Sequence, residues 1–186
     1  MRAFIAIELS DQIKDSLAQV QSHLKYSAAD VKWVNKENIH LTLKFLGDIT
    51  EEKCTKIKSI LDDIGKNTKP FSLSIKEIGA FPTIDHPRVI WVGLDNGADE
   101  SKELAKNISE RLLEIGFQEE SRPFAAHLTI GRVRSAKNKD ALKQKLTTCQ
   151  LQPTTEPQPV PSVILFQSTL SPKGPTYTKL HEARLG

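Results

Sequence analysis

His40-Leu41-Thr42-Leu43 and His127-Leu128-Thr129-Ile130 are two copies of one pattern, histidine-leucine-threonine-aliphatic, set far apart in the chain. Each lies in a stretch that reads as a β-strand. Alternate residues of a strand point to the same face, so each histidine stands beside its own threonine. Leu41 and Leu43 in the first copy, like Leu128 and Ile130 in the second, point the other way and can enter a core. Each copy therefore offers an imidazole and a hydroxyl, side by side, on a surface backed by apolar packing.

Working outward, the same order of elements surrounds both copies. Before the first, residues 4–9 read as a buried strand, Ser10 as a helix cap, and Ile13, Leu17, Val20 and Leu24 as the inner stripe of the helix it opens. Residues 31–33 and a polar turn at 35–38 lead into the strand at 39–46. Thr50 caps a second helix, with Glu51 and Glu52 at its positive end and Ile57, Leu61 and Ile64 inward. Residues 71–78 alternate apolar and polar, as a single strand would.

In the second half, residues 89–94 read as a strand. A helix follows with Leu104, Ile108, Leu112 and Ile115 inward and Gly116 as its stop. The second motif strand spans about 125–133, and a weaker helix covers 139–146 with Leu142 and Leu146 inward. Residues 150–161, rich in proline and threonine, read as an extended connection; 163–169 and 177–184 read as strands. The interval from Ile5 to His40 matches that from Ile90 to His127 to within two residues. The expected class is α+β: two pseudo-symmetric lobes, about 1–80 and 88–186, each an antiparallel-rich sheet with helices outside, around a central cleft.

The 186 residues suit one bilobal domain, and a formal charge of +3 is compatible with a phosphate-bearing substrate. No basic run resembles a nucleic-acid tail. Cys54 and Cys149 form no Cys-x-x-Cys pair, so zinc of the common spacing is not expected, and both read as reduced thiols in a cytoplasmic setting. Residues 1–9 are too short and polar for a signal peptide, and no stretch reaches the ~18 apolar residues of a membrane span. A monomer without membrane attachment is expected.

Imidazole titrates near ~6.5 and so either takes or gives a proton at neutral pH. A pair flanking one substrate supplies both the base and the acid for a displacement, and threonine hydroxyls donate to the non-bridging oxygens of a phosphate. The arrangement suits in-line attack at phosphorus with no cofactor and no metal. Zinc would want three or four ligands, and no Asp, Glu or Cys repeats beside the motifs; a serine triad lacks its Gly-x-Ser-x-Gly elbow. Lys44 has the parity of His40 and Thr42, so it is a candidate for the same anion, against a solvated strand-end lysine. Phe124 and Trp33 are candidates for stacking on a base, with core packing as the competing reading. Arg122 reads as a rim contact or a plain surface charge. His23, His86 and His181 have no threonine at i+2 and read as surface or structural residues.

The chain resembles the 2H phosphoesterase superfamily, which carries two His-x-Thr/Ser-x motifs, and within it the RNA 2′,3′-cyclic phosphodiesterase (2′-5′ RNA ligase) family. The matching segments, quoted by number, are 2–7, 31–34, 38–47, 79–82, 87–93, 116–117, 122–124 and 127–133. Ala126 departs from the proline often found just before the second histidine. The resemblance implies a substrate, RNA or a nucleotide ending in a 2′,3′-cyclic phosphate (tRNA fragments among them), and a 2′-phosphomonoester product. It also implies His127 as proton acceptor, His40 as proton donor, Thr42 and Thr129 beside them, and Arg132 near the phosphate. Arg132 has the wrong parity for a regular strand, so Gly131 would have to permit a bulge that re-aims it. Reverse reaction with a 5′-hydroxyl would give a 2′-5′ bond. Competing readings keep the dyad but change the substrate to a cyclic nucleotide, a 2′-5′ oligonucleotide or an RNA 3′ tail, or reduce the protein to an RNA-end-binding module.

Overall fold

In a computed structural model describing residues 1–119, 121–151, 156–172 and 174–186, the chain forms ten strands, four α-helices and a short 3-10 helix (Lys36–Asn38) among the described residues. The strands are β1 (Arg2–Glu8), β2 (Val31–Trp33), β3 (His40–Asp48), β4 (Phe71–Leu73), β5 (Ile75–Pro82), β6 (Pro87–Leu94), β7 (His127–Val133), β8 (Gln158–Val160), β9 (Ser162–Ser171) and β10 (Gly174–Arg184). The helices are α1 (Asp11–Lys25), α2 (Glu51–Lys66), α3 (Ala98–Leu113) and α4 (Lys139–Thr148).

The helices form where their apolar stripes and caps direct. Ser10 and Thr50 accept from the backbone N–H groups of Ile13 and Lys53, as N-caps do. Leu104, Ile108 and Leu112 are buried on α3, which ends at Leu113; Gly116, at φ +83°, follows, and Ile115 lies beyond the helix. Residues 71–78 do not make one strand. Asp95 donates its N–H to the carbonyl of Ser74, and Ser74 donates to that of Asn96. These bonds break the run, so β4 pairs with β8 while β5 pairs with β6. The extended connection expected at 150–161 contains β8; its residues 152–155 lie outside those described.

Two four-stranded sheets, in the orders β10-β9-β1-β3 and β2-β7-β6-β5, carry the fold. Their neighbouring strands run antiparallel. The sheets do not coincide with lobes 1–80 and 88–186. The first takes β1 and β3 from the chain's first half and β9 and β10 from its second; the second takes β2 and β5 together with β6 and β7. Helices cross as well. α1, from the first half, packs beneath β7 and against α4, whereas α3, from the second, packs beneath β3 and against α2. Each motif strand thus rests on a helix from the other half, and Leu41, Leu43, Leu128 and Ile130 all enter one shared core. Each sheet therefore draws its strands from both stretches of the chain.

Candidate active site

β3 and β7 lie beside one another, which brings the two motif strands together from different sheets. His40, Thr42, His127 and Thr129 are half-buried, while the leucines between them are fully buried. The same lock holds each ring. His40 Nδ1 lies 2.7 Å from the Asn38 carbonyl and His127 Nδ1 lies 2.6 Å from the Ala125 carbonyl. A carbonyl only accepts, so Nδ1 carries the hydrogen in both rings. In the neutral form Nε2 is then the basic nitrogen, and in the charged form it is the one that releases a proton away from the lock.

The surroundings of the rings differ. His40 stacks on Phe4, at 4.7 Å between centroids and 26° between planes, and meets Tyr177 edge-on at 5.2 Å. Phe4, Ala6, Ile164 and Phe166 form a small apolar cluster behind it. Burial there holds the His40 imidazole below the ordinary histidine value; the Asn38 carbonyl partly offsets this, and the charge of Lys14 adds to the depression. His127 instead meets Phe81 edge-on at 5.1 Å, at the end of a groove between β6, α3 and the segment 124–126.

Both motif strands carry a bulge just after the threonine. Thr42 pairs with Ala6 but Lys44 with Ile5, so Leu43 is extra; Thr129 pairs with Trp91 but Gly131 with Ile90, so Ile130 is extra. The extra residue reverses parity from there on. In β7 the bulge expected at Gly131 is present, and it turns the exposed Arg132 onto the face of His127 and Thr129. The Ile130 carbonyl accepts from Gln21 Nε2 of α1 at 2.8 Å and from the Val34 N–H at 3.0 Å.

In β3 the same device overturns the parity expected of Lys44. That side chain turns to the helix side, is 5% exposed, and donates to the Gln118 carbonyl at 3.3 Å. The position that reaches the cleft face is Phe45, 67% exposed, 6.4 Å from the Phe4 ring and paired with it across the strands. Sequence reasoning missed Phe45. It holds the place in β3 that Arg132 holds in β7, and only the bulge reveals the equivalence.

Burial pushes the Tyr177 phenol above its ordinary value, and the charges of Arg132, from the other sheet, and of Arg2 offset part of that rise. Arg132 therefore lies within electrostatic reach of the ring that packs on His40. Phe124 is half-buried in the groove beside His127. Trp33 instead packs over Gly131 on the helix side, with Lys25 Nζ 6.0 Å from its ring. His181 pairs with Asp62, His86 contacts Lys139, and His23 and Arg122 are exposed. Among the described residues no group of three or more His, Cys, Asp and Glu side chains could hold a metal ion, and no helix is long and apolar enough to cross a membrane.

A family model described as LigT-like phosphoesterase matches the chain twice, over residues 7–91 and 92–177. A Methanothermobacter thermautotrophicus protein named RNA 2′,3′-cyclic phosphodiesterase is 35% identical, covering 100% of this chain and 99% of that one. One of the same name from Methanocaldococcus jannaschii is 38% identical, covering 98% and 99%. Among solved structures, the Thermus thermophilus protein TT0787 superimposes with a TM-score of 0.80 at 26% identity, covering 100% of this chain and 98% of its own. Escherichia coli LigT complexed with 3′-AMP shares the fold, with a TM-score of 0.78 at 22% identity over 99% and 97%.

Proposed function

The chain belongs to the LigT-like branch of the 2H phosphoesterases, and on that premise we propose that it hydrolyses RNA or nucleotide 2′,3′-cyclic phosphate ends to 2′-phosphomonoesters. The observation that carries this reading is the matched pair of imidazoles. Each is locked through Nδ1 to the carbonyl two residues before it, and each stands beside a threonine on one of two neighbouring strands.

In the proposed reaction His127 Nε2 takes a proton from water as its oxygen attacks phosphorus. The bond from phosphorus to the 3′-oxygen breaks, and that oxygen takes the proton of His40 Nε2. Thr42 and Thr129 donate to the non-bridging oxygens, and Arg132 neutralises charge on the same group. Lys44 is left out of this scheme because its ammonium turns to the helix side. The substrate end is RNA; tRNA fragments are one source of it. The enzyme acts in the cytoplasm, as a monomer. The two histidines, threonines and Arg132 suffice for every step, so activity is expected to survive EDTA.

The deciding experiment incubates the protein with adenosine 2′,3′-cyclic phosphate and a short cyclic-ended RNA, with and without EDTA. A 2′-phosphate is expected throughout; a 3′-phosphate or shortened RNA rejects the reading. Arg132→Ala is expected to lower kcat/KM by about ten-fold or more, with Arg132→Lys recovering part of it as a point charge. Lys44→Met is expected to change kcat/KM by less than about two-fold, since a residue away from the substrate loses no transition-state contact.

The depressed His40 value predicts a pH signature. A proton donor must be charged, and burial makes the free enzyme lose that proton below the usual ~6.5. One inflection of the kcat/KM profile, which reports the free enzyme, therefore falls below that value. A bound phosphate anion stabilises the imidazolium, so the corresponding inflection in kcat moves to higher pH. Identical inflections in the two profiles would contradict the role given to His40.

A further inference from the structure

The proposed hydrolytic steps assign no role to the groove beside His127. It has a volume of about 310 Å³ and is lined by Phe81, Trp91, Phe124 and His127, with Glu77, Asp99 and Lys102 among its polar residues. Its floor is continuous: Phe81 meets His127 edge-on, and the Trp91 ring lies 5.2 Å beyond Phe81 at 32°.

Trp91 lies flat because two strand positions lack side chains. A Cβ on Gly79 would run into the indole, and one on Gly93 would come within 3.2 Å of it. Lying this way, the indole N–H is buried and finds no acceptor among the described residues. A buried unpaired donor is destabilising, so stability alone does not account for this ring in this posture. The matching position of the other sheet is Ala6, paired with Thr42 as Trp91 is with Thr129. An indole at this paired position is thus found on the His127 side and not on the His40 side.

We infer that the groove is a nucleobase subsite, with Trp91 as its stacking floor and Phe124 as a wall, for an RNA strand whose 5′-hydroxyl takes the place of water beside His127. This rests on the proposed function, which puts the incoming nucleophile on the His127 side. A nucleoside carrying that nucleophile extends away from phosphorus on the same side, into the groove. Its 5′-oxygen forms the new bond to phosphorus and gives its proton to His127 Nε2. The bond to the 3′-oxygen breaks, and that oxygen takes the His40 proton. The product is a 2′-5′ diester with a free 3′-hydroxyl, and opening the cyclic phosphate supplies the leaving group with no further reactant. Aromatic stacking is tolerant of base identity, while Glu77 and Asp99 can accept from exocyclic amino groups.

The test compares two reactions of the same preparations: hydrolysis of adenosine 2′,3′-cyclic phosphate alone, and joining of a cyclic-ended RNA to a 5′-hydroxyl RNA. For Trp91→Leu the loss in joining efficiency is expected to exceed the loss in hydrolysis by about ten-fold, the loss of one stacked base, with Trp91→Phe between it and the parent. Equal losses overturn the inference, since the groove would then serve the cyclic-ended nucleotide; no loss in joining overturns it as well. A second measurement does not depend on turnover. The chain has two tryptophans, so Trp33→Phe leaves Trp91 as the sole emitter, and a 5′-hydroxyl dinucleotide should quench it saturably. Absence of quenching also overturns the subsite. A protein that is quenched but does not hydrolyse the cyclic phosphate would reject the proposed function and leave the subsite standing.

Discussion

His40→Ala and His127→Ala are each expected to reduce turnover of a 2′,3′-cyclic phosphate by about 10²–10⁴-fold, the usual worth of one positioned acid or base. The two losses do not multiply. In the proposed reaction acid and base act in one displacement, and removing either leaves the other without its partner step, so the double variant is expected to fall little below the worse single one. His40 also packs on Phe4 and Tyr177, and its alanine variant loses that stacking. Thermal denaturation of His40→Gln, which keeps a planar side chain, separates the chemical loss from the structural one. Single variants that retain parental rates would remove the dyad from the mechanism.

The next largest effect is expected at the hydroxyls. Thr42→Val and Thr129→Val keep branched side chains suited to a strand while deleting the hydroxyl that the proposed reaction aims at developing charge. Removing one such donor costs about 10²-fold in kcat. Serine at either position restores the hydroxyl and should recover most of the rate. A valine variant that raises KM and leaves kcat intact would instead make the hydroxyls ground-state binders.

The local parts of this molecule were readable because they are written locally. Helix stripes such as Ile13-Leu17-Val20-Leu24 and caps such as Ser10 and Thr50 depend on neighbours within a turn or two. The histidine-threonine pairs were readable for the same reason: strand alternation fixes them over three residues. Parity beyond the threonine was not, because a bulge is a relation between two strands. In β7 the extra residue, Ile130, is followed by Gly131, which gave a hint; in β3 the residue after the bulge is Lys44, and nothing in its chemistry announces a change of face. Lys44 therefore left the face expected of it, and Phe45 stands there instead. The break at Ser74 depends on backbone bonds to residues 95 and 96, and the mixing of halves in each sheet depends on pairings such as β1 with β9. No window of sequence contains those partners.

The interleaved strand order also governs how the cleft can move. Followed from end to end, the backbone passes between the two sheets four times, from β1 to β2, β2 to β3, β3 to β5 and β7 to β9. A clam-shell enzyme swings about one or two connecting segments. Here any such swing would have to bend all four passages together and slide α1 and α3 off the strands they support. The spacing between His40 and His127 is thereby tied to the weave of the chain as a whole rather than to one hinge.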